Sequence, residues 1–305
     1  MTAPTAHRSE TPPKLVDVPL KQRNKPRSRN KLSMARFTSS LLMFIIVIVQ
    51  VYPLVWIFLT ALRPAREFAS GNSFALPSNI TFDNFSRAFS EGNIPRWLMN
   101  SVIVTVCADA MIVLLGMMAA YAITVLGFRF GRFVWGFLLI GIIVPVQVAL
   151  VPLFINYSNL GLLNSYPSMI LPLVGFGLPI SVYLFSSFYS FIPAEMYEAA
   201  SLDGAGPYRI FATITLPLSI NTVITVIFVN SIFIWNDFVF ANTFVLSDSM
   251  KTVPLGLHSY LGTMGSIDWT ATFAAVAATL TPLLLAFFVL NKAIIYGLES
   301  GGTKG

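Results

Sequence analysis

Apolar residues in this chain fall in long unbroken blocks, without the alternation of a strand or the stripe of a surface helix. Phe37 to Leu62 contains no charge, Trp97 to about Leu126 is interrupted only by Asp109, and Phe133 to Ala194 carries no charged residue at all. A helix needs about 20 apolar residues to cross about 30 Å of hydrocarbon. The third block is too long for one crossing. Its polar patch NYSNLGLLNSYPS, Asn156 to Ser168, divides it into spans at roughly 133–155 and 167–190. Further spans are predicted at about 217–236 and 269–295. Lipid accepts only helices or closed barrels, and these blocks lack barrel alternation. The expectation is therefore an all-α integral membrane protein with six transmembrane helices.

Composition sharpens this picture. Of 305 residues, 55% are hydrophobic and 10% charged, with a mean hydropathy of +0.74. Globular domains carry about 25% charged residues, so a soluble fold of this size could not solvate its surface. Cys107 is the single cysteine, which excludes a disulfide framework. The net charge of +6 could suggest nucleic acid, but its distribution argues against that partner. Nine Lys or Arg residues and two acids lie before Phe37, in a segment rich in Pro, Ser and Asn. Residues 1–35 read as a disordered basic tail, too long and polar for the n-region of a signal peptide. Residues 36–297 then form the transmembrane domain, and 298–305 a short C-terminal tail. With both termini cytoplasmic, the inside segments hold fourteen Lys or Arg residues and the outside segments five, as the positive-inside rule requires.

Several spans carry helix breakers: Pro145 and Pro152 in the third, Pro172, Gly175, Gly177 and Pro179 in the fourth, Pro282 in the sixth. Such helices suit either a moving bundle around a path or ordinary membrane packing. An acid inside a span is a functional candidate, because burying it in lipid costs at least about 2.5 kcal/mol. Asp109 either lines a path or bonds across helices to hold the bundle. Gln147 and Asn230 pose the same choice, since amides join membrane helices. Asn230 and Asp237, seven apart, are expected to share one face of the fifth helix. Trp235, Asn236 and Asp237 offer an aromatic plane with polar groups suited to a sugar ring, or an ordinary interface anchor.

Between the fourth and fifth spans lies a polar segment, FIPAEMYEAASLDGAGPYRIFATITLP. Pro193 fits a first helical turn, Glu195 complements the positive helix end, and Gly204 fits a left-handed stop. Pro207 begins a second short helix. The first has about ten residues, too few to be stable in water without packing on something. Either it caps its own bundle, or Ala199 and Ala200 give it a bare patch that docks in a partner's groove, with Glu198 and Asp203 around it.

The segment matches EAA-x3-G-x9-I-x-L-P, with Glu198, Ala199, Ala200, Gly204, Ile214, Leu216 and Pro217 in register. It resembles the EAA loop of binding-protein-dependent ABC import permeases, whose fold is MetI-like. The resemblance implies that the loop, about 193–217, is a coupling helix seated in an ATPase subunit. FIWNDFVFAN (Phe233 to Asn242), TVPLGL (Thr252 to Leu257), GLESGGTKG (Gly297 to Gly305), FDNFSRAF and RWLMNS (Phe82 to Ser101) resemble the carbohydrate-uptake branch, of the maltose-permease MalG type.

No GxxxxGK[ST], HExxH, GxSxG or Cys/His cluster is present in the sequence. His7 and His258 stand alone. The chain is expected to be a transport subunit rather than an enzyme, binding no metal or cofactor itself. The resemblance implies a second permease, two ATPase subunits using ATP and Mg, an extracytoplasmic solute-binding protein facing roughly residues 241–268, a sugar or oligosaccharide substrate, and the plasma membrane of a prokaryote. Rival readings are an ABC permease for glycerol phosphate or peptide, and an ion-coupled carrier.

Overall fold

The computed structural model describes residues 29–72, 75–263 and 268–302, and among them every regular element is a helix. The basic segment 1–28, including His7, and the last three residues lie outside the described residues. Helix α1 spans Arg29–Ala61, so it begins inside the segment read as tail. Up to Tyr52 it forms a unit of its own, and every side chain described there is exposed. An apolar helix bare on all sides is what a lipid environment selects.

The second unit, Pro53–Gly305, holds the remaining elements. In chain order they are α2 (Ala65–Ser70), α3 (Asp83–Glu91), α4 (Ile94–Thr124), α5 (Gly131–Ile143), α6 (Val146–Asn159) and α7 (Tyr166–Tyr189). Then come α8 (Ala194–Leu202), α9 (Pro207–Ile210), a π-helical turn (Phe211–Thr215), α10 (Leu216–Leu218) and α11 (Ile220–Trp235). Last are α12 (Val239–Phe244), a 3-10 turn (Asp248–Met250), α13 (Val253–Thr263) and α14 (Trp269–Gly302). α14 thus runs on into the segment expected as C-terminal tail.

Among the described residues, α1, α4, α7 and α14 each contain a stretch long and apolar enough to cross a membrane. The other two expected crossings are each a bent pair. α5 and α6 meet at 100°, and the helix Pro207–Leu218 meets α11 at 73°. The third span is therefore not one straight helix over 133–155. Its break has a local cause: Val144 precedes Pro145 and is pushed to extended backbone, φ −69° and ψ 119°. In the fifth, the helix entering the span restarts at Ile220 rather than Pro217. Ser219 sits at the break, its hydroxyl donating to the Thr215 carbonyl at 2.7 Å.

α4 packs along α7 and α11, and α11 along α14. Small residues permit these approaches: Ala108, Gly116 and Ala120 on α4, and Ala271, Ala274, Ala275 and Ala277 on α14 are all buried. Without a hydrophobic force between helices in lipid, such close contact supplies the packing energy. Gly256 shows how close: a Cβ there would stand 2.2 Å from the Trp97 ring.

Polar joints lock the end of the bundle opposite α8. The Asn84 amide donates to the carbonyls of Ala61 and Arg63, both at 2.7 Å, and its oxygen accepts from Arg87 at 2.6 Å. Arg87 also pairs with Asp268 at 2.8 Å, and Asp268 in turn caps α14 through the Ala271 N–H. Asn100, fully buried, donates to the carbonyls of Ser249 and Lys251 and accepts from the Tyr166 hydroxyl. The region expected to face a binding protein is thus built of α12, α13 and turns stitched to the bundle, with residues 264–267 outside the described residues. His258 lies on α13 with its ring 5.1 Å from Phe238.

Candidate functional site

Nine residues form α8, and none of its side chains is buried. Pro193 precedes it in extended backbone, at the cap rather than inside the first turn. Its end is a complete Schellman stop: Gly204 N–H donates to the Ser201 carbonyl and Ala205 N–H to the Ala200 carbonyl, both at 3.0 Å. The geometry needs φ of +79° at residue 204, which glycine adopts freely.

The 3.6-residue period divides the helix into two faces. Tyr197, Ala200 and the following Ala205 are half-buried against the bundle core. Glu195, Glu198, Ala199 and Leu202 form the opposite stripe and are exposed, Leu202 by 89%. The two alanines therefore do not make one bare patch. Ala200 seats the helix and Ala199 is presented outward, because adjacent residues point about 100° apart.

What holds the loop in place was not legible as a motif. The Tyr121 hydroxyl on α4 donates to the Pro207 carbonyl at 3.1 Å, tying α9 to the bundle. Tyr197 accepts from Thr215 at 3.5 Å. Beside these lies an open cleft of about 560 Å3 lined by Tyr121, Val125, Tyr197, Glu198 and Leu202. Ile214 is half-buried against the core, while Leu216 and Pro217 are exposed and Asp203 caps the helix end. The motif thus mixes positions that fasten the loop with positions left open.

The interior candidates separate. Asp109 is buried and its carboxylate accepts from the Ser231 hydroxyl, linking α4 to α11. Asn230 is buried too, and its amide donates to Ser181 on α7 at 3.0 Å and to the Val226 carbonyl at 2.9 Å. Neighbouring Gly177 makes room, since a Cβ there would lie 2.8 Å from the Asn230 oxygen. Asp109 and Asn230 are therefore brought to the same stretch of α11, through partners Ser231 and Ser181 that the sequence did not single out. Gln147 stands apart, exposed on the first turn of α6.

Asp237 does not share a helical face with Asn230, because α11 ends at Trp235. Its carboxylate instead accepts from the N–H groups of Phe240 and Ala241, capping α12. Trp235 is 9% exposed, packed in a cluster with Trp97, Tyr260 and the alanines of α14. Its ring offers no open face for a sugar in this conformation.

The described residues thus form a bundle of broken apolar helices with a glycine-stopped loop helix at one end. Residues 112–298 match the family described as binding-protein-dependent transport system inner membrane component, and the chain belongs to it. It is 32% identical over 255 residues to the diacetylchitobiose uptake system permease protein NgcG of Streptomyces coelicolor, covering 83% of this chain and 84% of that one. It is likewise 32% identical over 254 residues to the trehalose transport system permease protein SugB of Mycobacterium tuberculosis, covering 83% and 92%. These relatives bear out the resemblance to the carbohydrate-uptake branch. Among solved structures, a chain of a bacterial ABC transporter that imports the acidic polysaccharide alginate has the same fold, with a TM-score of 0.74 at 20% identity over 88% of this chain and 99% of that one.

Proposed function

We propose that this chain is one transmembrane subunit of an ABC importer that moves a sugar or oligosaccharide across the plasma membrane of a prokaryote. In this reading six spans, two of them the bent pairs, put both termini and α8 on one side, and the balance of fourteen Lys or Arg residues to five makes that side the cytoplasm. The observation that carries the reading is α8 itself. It is fastened by Tyr197 and Ala200, stopped at Gly204, and leaves Glu198, Ala199 and Leu202 bare. Covering a leucine this exposed contributes about 2 kcal/mol, a suitable anchor for a groove on an ATPase subunit.

In this reading the chain pairs with a second permease, each docked on an ATPase that binds ATP and Mg. Closure of the ATPase pair pushes α8. The push passes through the Tyr121–Pro207 and Tyr197–Thr215 contacts into α4 and α11. A solute-binding protein delivers sugar at the far end, near α12 and α13. Asp109 and Asn230 act as joints between moving helices rather than as sugar ligands, which their buried bonds to Ser231 and Ser181 support.

The test is reconstitution of this chain with its companion permease, ATPase and binding protein in proteoliposomes. Sugar uptake that requires ATP and is lost in Leu202→Asp supports the reading. Uptake by this chain alone, without ATP, would replace it with a carrier mechanism.

A further inference from the structure

At the same end of the bundle as α8, a second cavity of about 700 Å3 opens between α4, α5 and α7. Thr124, Arg129, Arg132, Trp135 and Ser186 line it, and no carboxylate does. Neither arginine has an ion pair among the described residues. Both are exposed, and the Arg129 guanidinium lies 4.9 Å over the Phe130 ring. α5, thirteen residues long, starts at Gly131 on the cavity wall, so its positive end faces the same space.

Ser186 supplies an independent observation. Several serines within helices here donate to a carbonyl three or four residues back, as Ser39, Ser181 and Ser201 do. The Ser186 hydroxyl, on a residue 9% exposed, has no hydrogen-bond partner. The hydroxyl is closed off from solvent on a residue that lines the cavity, so a rotation about its χ1 angle is what would present it to an acceptor there.

We propose that this cavity binds a phosphate-bearing anion, the chemistry shared by an anionic phospholipid headgroup and free phosphate. The arginines supply forked donors and charge, and Ser186 and the start of α5 supply further donors. The surroundings favour the lipid source. Trp135 stacks on Tyr183 at 6.0 Å, the belt position for a headgroup-level aromatic. Phe133, Phe137 and Ile140, 75%, 68% and 62% exposed, lie on the face of α5 turned away from Arg132 and Trp135, so α5 stands at the lipid boundary with the cavity at its headgroup end. The proposal requires only that the bundle spans a membrane, and it stands apart from the identity of the substrate. Because Tyr121 on α4 and Val125 just past its end line the cleft beside α8 while Ile123 and Thr124 line this cavity, an occupant would brace the end of α4 that anchors the coupling loop.

The experiment is native mass spectrometry of the full-length chain titrated with phosphatidylglycerol, with phosphatidylcholine, and with inorganic phosphate. The wild type is expected to retain phosphatidylglycerol over phosphatidylcholine. Arg129→Gln/Arg132→Gln is expected to lose about tenfold or more in that retention, Ser186→Ala less. Arg129→Lys/Arg132→Lys restores most of it, and Arg209→Gln, at the same end of the bundle, leaves it unchanged. An equal circular-dichroism melting curve for each variant excludes misfolding as the cause. Retention that inorganic phosphate does not displace identifies a lipid, and displacement with direct phosphate binding identifies free phosphate. Equal retention of both lipids by all variants with no phosphate binding, or an equal loss in Arg209→Gln, would overturn the site.

Discussion

Gly204 offers a graded test of how the coupling loop works. Its φ of +79° is a conformation that costs an L-residue about 1–2 kcal/mol. An added Cβ would meet nothing within 4 Å, so the substitution acts on the backbone alone, without crowding. Asparagine tolerates this region and is expected to behave almost as glycine does. Alanine costs about 1 kcal/mol, roughly a fivefold loss in the population of the stopped helix. Valine, β-branched, costs about 2 kcal/mol or more, roughly thirtyfold. A helix of nine residues has no reserve to absorb this. Sugar uptake per ATP hydrolysed in proteoliposomes should therefore fall in the order Gly, Asn, Ala, Val, while thermal unfolding of the bundle stays within about 0.5 kcal/mol of wild type. Full coupling in Gly204→Val, or a fall in unfolding stability that tracks the loss of uptake, would refute the reasoning.

Asn230→Ala removes two hydrogen bonds inside the bundle and should lower its stability by about 1 kcal/mol, measured by thermal unfolding, with the apparent sugar affinity unchanged. Gly256→Ala drives a methyl into the Trp97 ring and should destabilise by about 1–3 kcal/mol in the same assay. Burial pushes the Asp268 carboxyl up, but the Ala271 N–H, the Thr270 hydroxyl and Arg87 together outweigh it and hold the group below the usual carboxylate range. Its contribution is therefore complete above the unfolded carboxylate pKa of about 3.9 and is lost only as pH falls through the depressed folded value. Arg87→Gln should move the acid limb of the melting temperature against pH to higher pH. An unmoved limb would show that the Arg87 pair contributes nothing.

Much of this architecture is legible in the sequence because lipid allows so few solutions. Apolar blocks bounded by polar patches locate α4 and α7 within a few residues, and one end each of α1 and α14, whose other ends run on into the segments expected as tails. What escapes is geometry made by a single residue against its neighbours. Val144 before Pro145 turns one expected span into a 100° elbow, while proline at 172, 179 and 282 stays inside continuous helices, a difference no hydropathy profile contains. The seven-residue spacing of Asn230 and Asp237 suggested a common face only as long as the helix was assumed to continue past Trp235. In the loop, the glycine stop was readable from DGAGP, but the division of Ala199 from Ala200 between two faces required knowing which side meets the bundle. Tyr121 and Thr215 carried no signal, since a hydroxyl that fastens a loop looks like any other until its partner is placed.

What covers the bare stripe of α8 decides whether this helix is the joint to a motor. Cys107 can be replaced by serine and Leu202 by cysteine, so that a short thiol cross-linker reaches only from the helix end in the assembled importer. A cross-linked product between this chain and the nucleotide-hydrolysing subunit is expected, weakened when ATP turnover moves the joint. Labelling of that cysteine from the external face of intact cells, or no product with the ATPase in an importer that still transports, would contradict it.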